Sequence, residues 1–186
     1  QVGSPGNLDK SIQYYSKAIE LEPSVHAYYN RGLAYYDYGN LDRAVQDYSS
    51  AIQRDPNYIP AYHNRGVAHW AKQKLDVTTQ AASRAELDLA IKDYTTAITL
   101  CNKSGNNSER DRLALTYFNR GEAYYATHEL DLAKQDYNKA IELGLNRAFV
   151  YYNLGLILGD QGNLDQAIQE YTKSIQLDPT YAAAYN

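Results

Sequence analysis

Four asparagines recur at matching places along the chain and offer a chemistry of their own. Each stands directly before an Arg-Gly or Leu-Gly pair; they are Asn30, Asn64, Asn119 and Asn153. A carboxamide both donates and accepts hydrogen bonds, so a row of them can pair with successive peptide units of an extended chain, whatever its side chains. The same groups can instead bond within or between the segments that carry them. Both interpretations require elements that hold the asparagines in register.

Patterns typical of catalysis or metal binding are missing from the sequence. The four histidines never recur at the i, i+4 spacing that places two metal ligands on one helix face; they are His26, His63, His69 and His128. Cys101 is the single cysteine and has no accompanying Cys/His arrangement, so we interpret it as a packing residue. The chain also lacks a glycine motif that cradles phosphate. We therefore expect no enzymatic activity, no metal and no cofactor.

Composition narrows the range of partners. The chain has 18 basic and 22 acidic side chains, a net charge of −4, and no basic run, so nucleic acid and anionic membranes are not expected as partners. Its 44% apolar content is enough for a core. No apolar run approaches the roughly 20 residues of a membrane-spanning helix, and the N-terminus lacks the order of a signal peptide. We expect a cytoplasmic protein.

The segments that carry the asparagines form an internal repeat. The glycines that follow them are 34 residues apart in the first and last intervals and 55 apart in the middle one; they are Gly32, Gly66, Gly121 and Gly155. Matching tyrosines occur at Tyr48, Tyr94, Tyr137 and Tyr171. Their spacing places one insertion near residues 72–85 and a second at residues 102–112.

Each repeat predicts two helices, which we call helix A and helix B. Tyr28, Gly32 and Tyr35 lie on one face of helix A, and helix B carries an apolar stripe that includes Ala44 and Tyr48. A glycine inside a helix costs about 1 kcal/mol relative to alanine, so Gly32 indicates that a neighbouring helix approaches closely. A Gly-Asn turn between the two helices makes the unit an antiparallel helical hairpin.

The hairpin resembles the tetratricopeptide repeat. In the repeat that starts at residue 25, the signature positions hold Tyr28, Arg31-Gly32, Tyr35, Ala44, Tyr48, Ala51 and Pro56. The resemblance implies an all-α fold, a right-handed superhelical solenoid of antiparallel helix pairs, and a non-catalytic role in binding proteins. Arg31, Arg65 and Arg120 stand where the family usually has leucine. We interpret them as structural, with stems that pack and guanidinium groups that reach acidic side chains or water.

The repeat predicts the boundaries along the chain. We expect a half repeat at 1–24, repeats at 25–58, 59–104, 114–147 and 148–181, an inserted loop at 105–113, and the start of a further repeat at 182–186. The chain contains no methionine, so we expect a fragment of a longer array. Repeats bury their apolar faces only against neighbours. Head-to-tail self-association through uncovered terminal repeats is therefore an alternative function.

The resemblance also implies that helices A line a concave face whose exposed side chains hold the ligand. Aromatic residues accompany the asparagines on this face: Tyr29, Tyr36, His63, Trp70, Phe118, Tyr125, Phe149 and Tyr152. Exposed aromatic clusters are typical of binding surfaces, although single rings can instead pack on an adjacent helix. With the asparagines, the face is similar to the asparagine ladder in the superhelical repeats of O-linked N-acetylglucosamine transferase, which holds peptide backbone.

A second binding mode of the family grips a C-terminal carboxylate with lysine and arginine from neighbouring A helices. At those positions this chain has Tyr29, His63, Phe118 and Tyr152, and His26, Pro60, Leu115 and Phe149. The cations are missing, so we do not expect tight binding of an acidic C-terminal tail. The sequence predicts a scaffold that binds an extended segment of another, unidentified protein on its concave face.

Overall fold

The computed structural model describes residues 5–75 and 80–185, and all regular structure within them is helical. The α-helices are α1 (Pro5–Leu21), α2 (Val25–Asp37), α3 (Leu41–Arg54), α4 (Ile59–Leu75), α5 (Gln80–Ser104), α6 (Arg110–Ala126), α7 (Leu130–Glu142), α8 (Ala148–Asp160) and α9 (Leu164–Leu177). Short 3₁₀ turns cover Asn107–Glu109 and Ala182–Tyr185. The all-α class expected from the sequence is confirmed.

The helices belong to two compact units, Gln1–Ser104 and Gly105–Asn186. In the first unit α2 packs against α3, α4 packs against α5, and α1 packs on α2. In the second unit α6 pairs with α7, and α8 pairs with α9. Short turns join α2 to α3, α6 to α7 and α8 to α9, so these helices run antiparallel. Each unit is therefore built from the predicted hairpins, with α2, α4, α6 and α8 as helices A.

One glycine in each helix A lets a helix B tyrosine pack against the backbone. The pairs are Gly32 with Tyr48, Gly66 with Tyr94, Gly121 with Tyr137 and Gly155 with Tyr171. In the first three pairs an added Cβ would lie only 2.7 Å from a ring carbon. The rings of Tyr48, Tyr94 and Tyr137 are fully buried, whereas Tyr171 is half-buried. The close approach predicted from Gly32 thus occurs in every hairpin.

Three hairpins are also joined by an ion pair between helix A and helix B. The pairs are Arg31 with Asp47, Arg65 with Asp93 and Arg120 with Asp136. In each, Nε and Nη2 donate to separate carboxylate oxygens at 2.7–2.8 Å. Nη1 of Arg31 and Nη1 of Arg65 also donate to a serine of the preceding helix B. The structural interpretation of these arginines is confirmed.

Three turns between paired helices, those that join α2 to α3, α6 to α7 and α8 to α9, each contain one residue with a left-handed backbone. Gly39 supplies it between α2 and α3 with φ +83°, and Gly162 supplies it between α8 and α9 with φ +78°. Between α6 and α7 the residue is His128, with φ +62°. Gly144, with φ +108°, follows the end of α7. This confirms that Gly144 ends a helix B that lacks the closing proline.

The hairpin of α4 and α5 has longer helices than its neighbour. These helices have 17 and 25 residues, compared with 13 and 14 for α2 and α3. Residues 76–79, within the predicted insertion, lie outside the described residues. Glu86 of α5 contacts His69 Nδ1 at 2.6 Å and Lys72 Nζ at 2.9 Å, and Lys72 also reaches Asp42 at 2.8 Å. This network ties the added turns to α3.

Candidate peptide-binding surface

Two of the four asparagines are used to join successive A helices. In the first unit Asn64 Nδ2 donates to the Tyr29 hydroxyl at 2.8 Å. In the second unit Asn153 Nδ2 donates to Glu122 Oε1 at 2.5 Å. Both asparagines are half-buried, so a lost hydrogen bond here would leave a partly desolvated polar group. Asn64 and Asn153 therefore bond between helices, and this bonding does not exclude a ligand at the carboxamide oxygen.

The other two asparagines make no side-chain hydrogen bond within the described residues. Asn30 and Asn119 are half-buried, and neither side chain makes a hydrogen bond to any residue that the structure describes. Within the described residues no fully buried side-chain nitrogen or oxygen lacks a partner. The carboxamides of Asn30 and Asn119 must therefore reach solvent. They sit on helices A with both a donor and an acceptor to offer.

Four of the predicted rings pack against the helix B tyrosines. They are Tyr29 on Tyr48, His63 on Tyr94, Phe118 on Tyr137 and Tyr152 on Tyr171, with ring centroids 5.5–6.0 Å apart. His63 is buried, and the other three are half-buried. Tyr29 also meets the edge of Tyr58 and accepts the Asn64 bond. These rings contribute to hairpin packing and, apart from His63, keep part of their surface exposed.

Three further rings lie about two turns later on their helices. Tyr36 is half-buried on α2. Trp70 is half-buried on α4, and Lys74 Nζ lies 4.9 Å from its ring centroid. Tyr125 on α6 donates from its hydroxyl to Asp160 Oδ2 at 3.1 Å. Burial, followed by Asp160, raises the pKa of Tyr125, so its phenol stays neutral and keeps its proton for this bond.

Phe149, on α8 of the second unit, lies between a predicted ring and a cavity. Its ring meets Phe118 edge-on, with centroids 4.9 Å apart. Phe149 also lines a cavity of about 460 Å³ together with Leu115, Leu145 and two charged residues, Asp111 and Arg147. The volume is that of a small ligand pocket, and it is large enough for one apolar side chain of a bound segment.

Sequence reasoning missed Glu122, which bonds both a helix B tyrosine and one of the four asparagines. Its Oε1 accepts hydrogen bonds from the hydroxyl of Tyr137 and from Asn153. Burial, followed by Glu122, raises the pKa of Tyr137. The sequence did contain a signal for Glu122. It follows the repeat glycine directly, at a place where the other hairpins have Leu33, Val67 and Leu156.

The arrangement offers groups that make non-covalent contacts. Within each unit it combines exposed ring surface, solvent-accessible carboxamides and hydrogen-bonded polar groups. Across the described ranges, 5–75 and 80–185, no group of three or more His, Cys, Asp or Glu side chains is arranged to hold a metal ion. No helix in the same ranges is long and apolar enough to cross a membrane.

Helical hairpins that repeat along the chain, each closed by a glycine against a tyrosine, define an α-solenoid protein. Models of one repeat family, the tetratricopeptide repeat, match residues 6–24, 25–58, 114–146 and 148–181. Together these ranges cover more than half of the chain. The chain therefore belongs to the tetratricopeptide repeat family, whose members bind proteins or peptides. The matched ranges skip residues 59–113, which contain α4, α5 and both predicted insertions.

Solved structures of other tetratricopeptide proteins share the fold. A crystal structure of MamA is 24% identical, with a TM-score of 0.78, over 95% of this chain and 92% of that one. A thermophilic TPR protein of Thermus thermophilus is 19% identical, with a TM-score of 0.69 over 97% and 88%. The PilF protein of Pseudomonas aeruginosa is 17% identical, with a TM-score of 0.75 over 96% and 72%. A sequence search of curated proteins found no significant match.

Proposed function

We propose that this chain is a non-catalytic scaffold that binds an extended segment of another protein on the face lined by helices A, which is the concave face in this family. The state of Asn30 and Asn119 carries the proposal. Each is half-buried, reaches solvent and makes no side-chain hydrogen bond within the described residues. An extended peptide presents N–H and C=O groups in alternation, and a carboxamide complements both.

The rings beside these asparagines supply the apolar part of the binding energy. Tyr36 and Trp70 in the first unit, and Tyr125 and Tyr152 in the second, are all half-buried on helices A. Rings fixed by packing lose little side-chain entropy when a ligand covers them. The carboxamides would bond the peptide backbone, and the rings would contact large side chains of the peptide. Such a surface accepts many peptide sequences, as a scaffold requires.

The test uses a phage-displayed library of random peptides of about 12 residues, which span roughly 40 Å when extended. The library is selected on the immobilised chain, and a selected peptide is then labelled and titrated by fluorescence anisotropy. Replacing Asn30 or Asn119 with alanine removes hydrogen bonds worth about 1 kcal/mol each. The affinity should therefore fall roughly fivefold when the asparagine of the unit that binds the peptide is replaced.

Asn138→Ala is the matched control, because Asn138 is an exposed asparagine on α7, a helix B. It should leave the affinity unchanged. Asn64→Ala should lower thermal stability, because it removes the hydrogen bond to Tyr29. Asn30→Ala removes no such bond and should not lower thermal stability in this way. If no peptide is selected, or if Asn30→Ala and Asn119→Ala bind as Asn138→Ala does, the scaffold proposal is wrong.

Self-assembly is the second candidate function, and exposed apolar side chains favour it. Leu164 and Ile168 on α9 are 64% and 62% exposed, and Tyr14 and Leu21 on α1 are 71% and 76% exposed. Copies stacked head to tail would cover both surfaces. Sedimentation velocity should then show concentration-dependent oligomers that Ile168→Glu abolishes. A monomer at every concentration would contradict self-assembly and leave the scaffold function standing.

A further inference from the structure

We propose that the second unit holds an aromatic side chain of the bound segment in the cavity beside Phe149, and that an acidic neighbour of this residue pairs with Arg147. The inference rests on the proposed function, since it names the kind of segment that the helix A face takes. The site lies where the start of α6, the turn after α7 and the start of α8 meet. We call it the ring cavity; its apolar walls are Leu115, Leu143, Leu145 and Phe149, and its charged residues are Asp111 and Arg147.

A tyrosine ring fills the equivalent place in the first unit. Tyr58, in the turn between α3 and α4, meets the ring of His26 edge-on with centroids 5.5 Å apart, and it meets Tyr29 at 5.3 Å. In the repeat register Arg147 stands at the position of Tyr58. Leu115 stands at the position of His26. The second unit thus has an arginine and a leucine where the first has two packed rings, and a cavity of about 460 Å³ lies there.

The same repeat position carries a tyrosine again after α9. Tyr181 meets the edge of Tyr152 with ring centroids 5.5 Å apart, much as Tyr58 meets Tyr29 in the first unit. At the ring cavity Phe149 approaches the helix A ring from a later position, and Leu115 is left 42% exposed. Two turns of this chain therefore place a ring where the ring cavity is open, so an aromatic side chain suits the space that the fold leaves there.

The walls of the ring cavity are held in place by the fold. Arg110 Nε donates to the carbonyl oxygen of Leu143 at 3.1 Å, which joins the start of α6 to the end of α7. Leu145 and Phe149 pack against the buried core cluster that includes Val150. Because these contacts form the cavity before a ligand arrives, an entering side chain gains apolar burial without the cost of ordering its walls.

The two charged residues decide what stands next to the ring. Arg147 is exposed, and its side chain makes no ion pair or hydrogen bond to any residue that the structure describes. It is the N-cap residue of α8, where the helix dipole also favours an anion. Asp111 lies in the first turn of α6, so a helix N-terminus already stabilises its charge. A carboxylate of the segment is therefore favoured on the side of Arg147 and repelled on the side of Asp111.

The experiment examines the peptides that the selection on the full chain yields. They should share an aromatic residue with an acidic neighbour. In a labelled peptide, replacing the aromatic residue with alanine should weaken binding about tenfold or more, the loss expected when a ring leaves an apolar pocket. Replacing the acid with its amide should weaken binding about twofold to fivefold, the range of an exposed charge pair. Arg147→Gln should cause a similar loss, and the two losses should not add.

Arg147→Tyr gives the second unit the ring that Tyr58 supplies in the first, so it should fill the cavity and weaken the peptide about tenfold. Asn138→Tyr is the matched control, because it adds a ring at an exposed position on α7, and it should leave the affinity unchanged. The aromatic-to-alanine peptide decides the result if Arg147→Tyr folds poorly. Peptides that need Asn30 or Asn119 but lose no affinity with their aromatic residue would overturn this inference alone. Failure to select any peptide would overturn both proposals.

Discussion

The two units use the same packing devices but differ in the polar residues placed on them. Each hairpin of the first unit has an arginine bonded to a buried aspartate, whereas the second unit keeps that pair only between α6 and α7. Between α8 and α9 the arginine is replaced by Leu154, and Glu170 bonds Lys173 instead. The arginine and the aspartate are thus both replaced in this hairpin, which indicates that the two residues act together in holding a hairpin closed.

The largest effect expected from this comparison is at Asp93. Asp93→Ala leaves the guanidinium of Arg65 partly buried without its carboxylate, so the free energy of unfolding should fall by about 2–3 kcal/mol. Glu170→Ala removes a half-buried carboxylate whose partner, Lys173, is 52% exposed and can turn to solvent, so it should cost less than about 1 kcal/mol. Urea denaturation followed by circular dichroism measures both. Equal losses would mean that the arginine pair does not hold the hairpin together.

A smaller difference is expected at the repeat glycines. Gly66→Ala puts a methyl group 2.7 Å from the buried ring of Tyr94 and should destabilise by about 1–2 kcal/mol, even after the gain in helix propensity. Gly155→Ala meets Tyr171, whose ring is half-buried and can move outward, so its cost should stay below about 1 kcal/mol. Thermal unfolding of both variants checks the order. A more stable Gly66→Ala would contradict the close approach.

The smallest effect concerns the turns between paired helices. Gly39 holds a left-handed backbone in the first unit, and His128 holds it in the second. His128→Gly relieves the Cβ strain at the cost of a more flexible unfolded chain, a net gain of about 0.5 kcal/mol. Gly39→Ala should lower the free energy of unfolding by a similar amount. Urea midpoints of the two variants should shift in opposite directions; a shift in the same direction would refute this explanation.

Most of the fold could be predicted from the sequence because it depends on local periodicity. The 34-residue interval, the apolar stripes and the turn residues indicated the hairpins, and Gly32 indicated the close approach of a helix B. The structural role of Arg31, Arg65 and Arg120 also followed from their place in helix A. Their aspartate partners did not, since the pair joins residues 16 or 28 positions apart.

The candidate surface was less predictable, because its character depends on how side chains meet between helices. The sequence alone determined that asparagines and aromatic rings recur on helices A. Only the tertiary structure divided the asparagines into Asn64 and Asn153, which bond a neighbouring helix, and Asn30 and Asn119, which do not. It also brought Glu122 next to Asn153 across 31 residues of chain. Periodicity fixes which face a residue occupies, whereas the partner that it finds there depends on packing between repeats.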